Sequence, residues 1–138
     1  MKSKALTLVL VFAFIFSAYS QDRLKRPKKR VGVASVDSIV TKSFDMYDDV
    51  YTYKQKVDAG HELDSTETDV LEYILEESED LSEYALDAAS ELDGISVLKQ
   101  GKAVLQLNRA KKALQYCAVT CKELMVGEDV EEESSGNN

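Results

Sequence analysis

Apolar residues recur along this chain at intervals of three and four, from Val36 to Met125, and that spacing predicts three helices. In the first segment Val40, Phe44, Tyr47 and Tyr51 step by four, three and four. Val36, Val50 and Val57 run beside that line, and Ile39, Met46 and Tyr53 form a further row at steps of seven. These positions cover an arc broader than a strict coiled-coil seam. With Ser35 as N-cap and Gly60 as stop, the pattern predicts a helix over about 36–59.

The second segment opens on "DSTE", in which Asp64 or Ser65 caps and Glu67 completes a capping box. Leu71, Ile74, Ser78, Leu81, Ala85, Ala88 and Leu92 then alternate by three and four without a slip. Asp93 and Gly94 end this helix, predicted over 65–93. Its second half is lined by small residues that let a neighbour approach closely. A third helix is predicted over 96–126, with Ser96 as N-cap. Its seam is Ala103, Leu107, Ala110, Leu114, Cys117, Cys121 and Leu124, and Gly127 closes it. Gly101 weakens its start by about 1 kcal/mol.

No run of two-residue alternation competes, so no strand is expected. Short connections near 60–64 and 93–95 make successive helices antiparallel. The expected fold is therefore all-α: an up-down-up three-helix bundle, roughly 40 Å long. The bundle should occupy 36–127, after a basic flexible arm at 21–35 and before an acidic disordered tail at 128–138.

The first twenty residues change the picture. Lys2 and Lys4 precede an apolar run from Ala5 to Ala18, and Ala18 and Ser20 suit a signal-peptidase site. The run is shorter than the roughly 20 residues of a membrane span. A cleaved signal peptide over 1–20 is expected, hence an exported protein, periplasmic or extracellular, with no transmembrane helix in the mature chain. Arg23, Lys25, Arg26, Lys28, Lys29 and Arg30 follow at once and oppose translocation of an uncleaved segment.

Charge narrows the function. The chain has 17 basic and 25 acidic residues; without Lys2 and Lys4 the mature net charge is −10. The part beyond the arm is more acidic still, which excludes nucleic acid as a partner. The arm itself is expected either to be a solvated leader or to hold an anionic membrane surface peripherally. From Val57 to Leu98 there are fourteen acids and no Lys or Arg, whereas Lys99, Lys102, Arg109, Lys111, Lys112 and Lys122 lie on the third helix. An acidic helix beside a basic one suggests pairing between them.

Candidate chemistry is sparse. No phosphate loop, nucleophile elbow or zinc motif is present, so no catalytic residue, no cofactor and no enzymatic activity are expected. His61 is the sole histidine, and Cys117 and Cys121 are the sole cysteines. With Met125 they are the candidate ligands of a thiol-based copper or redox carrier. Four-residue spacing puts both sulfurs on the inward face of one helix, in poor geometry for a disulfide. Two reduced thiols buried as small apolar groups are the expected state. The leading expectation is a non-enzymatic interaction module, with self-association as one form of it. Its candidate contact residues are Leu98 and Leu105 on the third helix and Ile39, Met46 and Tyr53 on the first. The carrier and the lipid-held envelope protein are the alternatives.

Overall fold

In a computed structural model, the backbone is described for residues 23–135 and the side chains for 23–126. The expected signal segment, 1–20, lies outside the described residues. Three α-helices account for the fold: α1 (Ala34–Asp58), α2 (Ser65–Ser90) and α3 (Val97–Ser135). Each packs on the other two, and no strand occurs among the described residues. The rings of Tyr47 and Tyr51 of α1 pack at a tilt against Tyr116 of α3, and Gly32, just before α1, lies against Lys99 near the start of α3. These two levels fix α1 and α3 as parallel. The short connections leave α2 antiparallel to both, so the chain runs up, down, up.

The seam is the one the spacing predicts. Leu71, Ile74, Ser78, Leu81, Ala85, Ala88 and Leu92 are all buried, as are Ala103, Leu107, Ala110, Leu114, Cys117, Cys121 and Leu124. From α1 come Val36, Val40, Phe44, Tyr47 and Val50. Ser43 and Ser78 sit in this core because their hydroxyls donate to the carbonyls of Ile39 and Ile74, at 2.6 Å each. A satisfied hydroxyl avoids the penalty of a buried unpaired polar group.

The helix ends show which local signals held. Asp64 caps α2, and Glu67 returns its carboxylate to the Asp64 amide, completing the predicted box. Lys56 then ties the end of α1 to Glu67 at 2.8 Å. Gly60 and Gly94 take φ of +88° and +90°, the left-handed conformation that a helix-ending turn needs and glycine adopts freely. Three boundaries move. α2 ends at Ser90, short of 93. α3 continues through Gly127 to Ser135, into the stretch expected to be a disordered tail. A helix interior tolerates one glycine for about 1 kcal/mol, and the glutamates that follow are good helix formers.

The third difference is at the start of α1. Val33, not Ser35, is the N-cap, and it offers no side-chain bond. Asp37 serves instead, accepting from the backbone amides of Val31 (2.8 Å) and Gly32 (3.0 Å). Replacing Asp37 with Ala should lower stability by about 1 kcal/mol, as for loss of a helix cap. Hydrogen exchange should speed up at the Val31 and Gly32 amides first. Unchanged protection there would mean that the carboxylate is not what orders this turn.

Asp37 belongs to a larger correction. Residues 21–35 were expected to be a flexible arm, yet residues 23–33 lie along the bundle. Leu24 and Val33 pack on the core and Val31 is buried within it. The Leu24 amide donates to the Tyr47 hydroxyl at 2.9 Å, and Gln106 of α3 donates to the Lys29 carbonyl at 2.8 Å. Composition marks the segment as too polar to fold by itself. Spaced apolar residues nevertheless anchor it on a surface that the helices provide.

Candidate functional site

The arm fills the groove between α1 and α3, and two arginines lock it there. Arg23 bonds Asp48 at 2.8 Å and places its guanidinium 4.8 Å from the Tyr51 ring centroid. Arg26 bridges Asp45 and Asp48, at 2.5 and 3.1 Å. Both guanidiniums are held above their ordinary pKa, chiefly by these hydrogen bonds. The lock sits over an aromatic cluster in which Tyr47 touches Phe44, Tyr51 and Tyr116, its centroid 4.9 Å from that of Tyr116. These pairs are exposed, so the burial of Val31 and the packing of half-buried Leu24 supply most of the anchoring: a fully buried Val contributes about 1.5–3 kcal/mol, a half-buried Leu less.

The lock divides the arm's charge in two. Arg23 and Arg26 are neutralised by α1. Lys25, Lys28, Lys29 and Arg30 are exposed and take no ion pair among the described residues. Beside them, α3 presents Lys99, Lys102, Arg109 and Lys112, also exposed and also without an ion pair among the described residues. The expected pairing of acidic α2 with basic α3 is therefore absent among the described residues. The two helices meet through their apolar stripes, which leaves charged side chains on the outer faces. The result is a basic front, made of arm and α3, and an acidic back on α2.

The apolar candidates separate in the same way. Ile39 and Met46 are buried, at 6% and 7% exposure, and Tyr53 is half-buried against the core. At this spacing the row either is buried by the fold or meets a partner; the fold covers it, because α1 packs against both α2 and α3. Leu98 and Leu105 stay outside, 75% and 57% exposed. With Val97, Gly101 and Lys102 they line a shallow apolar depression at the start of α3. Of the five contact candidates, only this pair lies open among bases.

The thiol site is a different environment. Cys117 and Cys121 are both free and fully buried in the core. Burial pushes each thiol up to about 12, with the neighbouring Cys121 adding to the effect at Cys117. His61 is exposed in the connection between α1 and α2, and Met125 is half-buried against the core. No group of three or more His, Cys, Asp or Glu that could hold a metal occurs among the described residues. A neutral, water-excluded thiol is a poor nucleophile and a poor metal ligand, since both roles need the thiolate.

Sequence reasoning missed the arm's docking and the aromatic cluster beneath it. A signal was present: Leu24, Val31 and Val33 punctuate the basic run, and Asp37, Asp45 and Asp48 repeat on one side of α1. No family model, curated protein or solved structure matches this chain. No helix among the described residues is long and apolar enough to cross a membrane.

Proposed function

We propose that this protein is exported and works by binding, not by catalysis, and that its contact surface is the basic front of the bundle. One observation carries the reading. Leu98 and Leu105 are exposed on the same side of α3 as Lys102 and Arg109, where the described residues offer neither apolar cover nor a counter-charge. Apolar residues seven apart on one helix face are among the anchor positions of helix-mediated recognition. Export rests on Lys2, Lys4, the apolar run to Ala18 and the small residues before Gln21.

A second reading is favoured by the arm: its four outward bases would add attraction to an anionic lipid surface, at about 1 kcal/mol per charge close to the membrane. The carrier reading draws no support from two buried, neutral thiols.

Replacing Leu98 and Leu105 together with Lys tests the proposal. The doubly substituted protein should keep its helical circular dichroism and its melting temperature, because both side chains are already in water. It should lose whatever protein the wild type retains on sedimentation or pull-down, whether another copy or a partner; binding to an anionic vesicle, driven by the bases, should instead hold or strengthen. Retention equal to wild type would remove the α3 face from the mechanism.

A further inference from the structure

The charge division is sharper than a patch. Along α3, Leu98, Lys102, Leu105, Arg109 and Lys112 step by four, three, four and three, forming one stripe that borders the arm. Along α2, Tyr73, Glu77, Asp80, Tyr84 and Asp87 follow the same steps. Tyr73 and Tyr84 are 59% and 60% exposed, and the row's acids take no ion pair among the described residues. Each row thus carries two large exposed side chains among charges of a single sign, and the signs are opposite. The stripes also lie on different sides of the bundle. The arm fills the α1–α3 groove, and in a three-helix bundle the groove between two helices faces away from the third.

We propose that the occupant of the basic stripe is a second copy of this chain, presenting its acidic α2 row. This rests on the reading of the α3 face as a contact surface, and adds what covers it. In an antiparallel register Leu105 meets the partner copy's Tyr84 while Lys102, Arg109 and Lys112 face its Asp87, Asp80 and Glu77, the arrangement by which flanking charges choose partners in paired helices. Pairing like stripes would set cation against cation or acid against acid. Because the two stripes are on different sides, one neighbour cannot satisfy both. The contact is head-to-tail, so copies close into a ring or extend as a chain. The net charge of −10 left after signal cleavage opposes approach at long range. At physiological salt, screening over about 8 Å weakens that repulsion more than it weakens charges in contact.

Charge exchange separates this from a folding effect. One variant carries Lys102→Glu with Arg109→Glu, and so has two acidic sides. The other carries Asp80→Lys with Asp87→Lys, and so has two basic sides. With the protein as its cells produce it, sedimentation equilibrium of the wild type should give a weight-average mass at least double that of the monomer. Each variant alone should fall to the monomer mass with an unchanged helical spectrum. An equimolar mixture should recover the doubled mass, since the acidic row of the first variant and the basic stripe of the second are both untouched. A wild type that is monomeric at every concentration, or a mixture that stays monomeric, overturns the proposal. A monomeric wild type that still co-sediments with anionic phospholipid vesicles, and is released by Lys102→Glu with Arg109→Glu, overturns self-association but leaves the binding face standing. A wild type that binds neither vesicles nor its own copies, and retains no partner, removes both.

Discussion

Leu81→Asp is expected to unfold the bundle. Leu81 is 3% exposed, in the middle of the α2 seam, and packs in the single core shared by all three helices. A carboxylate there loses the leucine's transfer free energy and leaves a charge with no partner in an apolar interior, a loss of several kcal/mol. Total stability of a domain this size is about 5–15 kcal/mol, so the variant should be largely unfolded or melt far below the wild type. The helical circular dichroism signal and its thermal transition report this directly. Leu86→Asp is the matched control: Leu86 lies on the same helix but is 60% exposed, and should shift stability by no more than about 0.5 kcal/mol. Equal melting of Leu81→Asp and wild type, or equal loss in both variants, would mean that α2 does not bury the face assigned to it.

The second large effect concerns Cys117 and Cys121. Moving each thiol from 9.0 to about 12 lowers its thiolate fraction near neutral pH about a thousandfold, and full burial keeps reagents out as well. Alkylation of the folded protein without reductant should therefore proceed only through opening of the bundle, at least a thousandfold slower than after denaturation. Denatured protein should take up two equivalents, read by intact mass. Residues four apart on an intact helix bridge poorly, so the mass should correspond to two thiols even if the proposed export takes the chain through an oxidising compartment. A mass lower by two hydrogens, or copper retained in stoichiometric amount through purification, would make this pair the functional site and displace the α3 face from that role.

These two outcomes rest on features that differ in how readable they were. α2 was legible nearly in full. Its capping box and its seven seam positions are local or periodic signals, each decided by residues within a turn or two of one another; only its end, at Ser90 and short of Gly94, was misplaced. The inward placement of the cysteines followed from the same periodicity on α3. Ile39 and Met46 show the limit. Their spacing marks them as sharing a face of α1, but not whether that face meets another helix or water. The same spacing describes Leu98 and Leu105, which the fold leaves open.

The arm shows a second limit. A run of six bases with one proline cannot bury enough apolar surface to order itself, and its composition says so. It is ordered because Tyr47, Asp45 and Asp48, some twenty residues along the chain, happen to stand on the rim of a groove formed with Gln106, seventy-seven positions from Lys29. The sequence by itself determined the number of helices, their seams, their up-down-up order and the segregation of charge between α2 and α3, because periodicity and composition are properties of neighbouring residues. Only the tertiary structure decided that the arm docks, that α1 buries its second apolar row, and that the bases of α3 take no ion pair from α2 among the described residues, because each depends on which surfaces meet when distant segments pack.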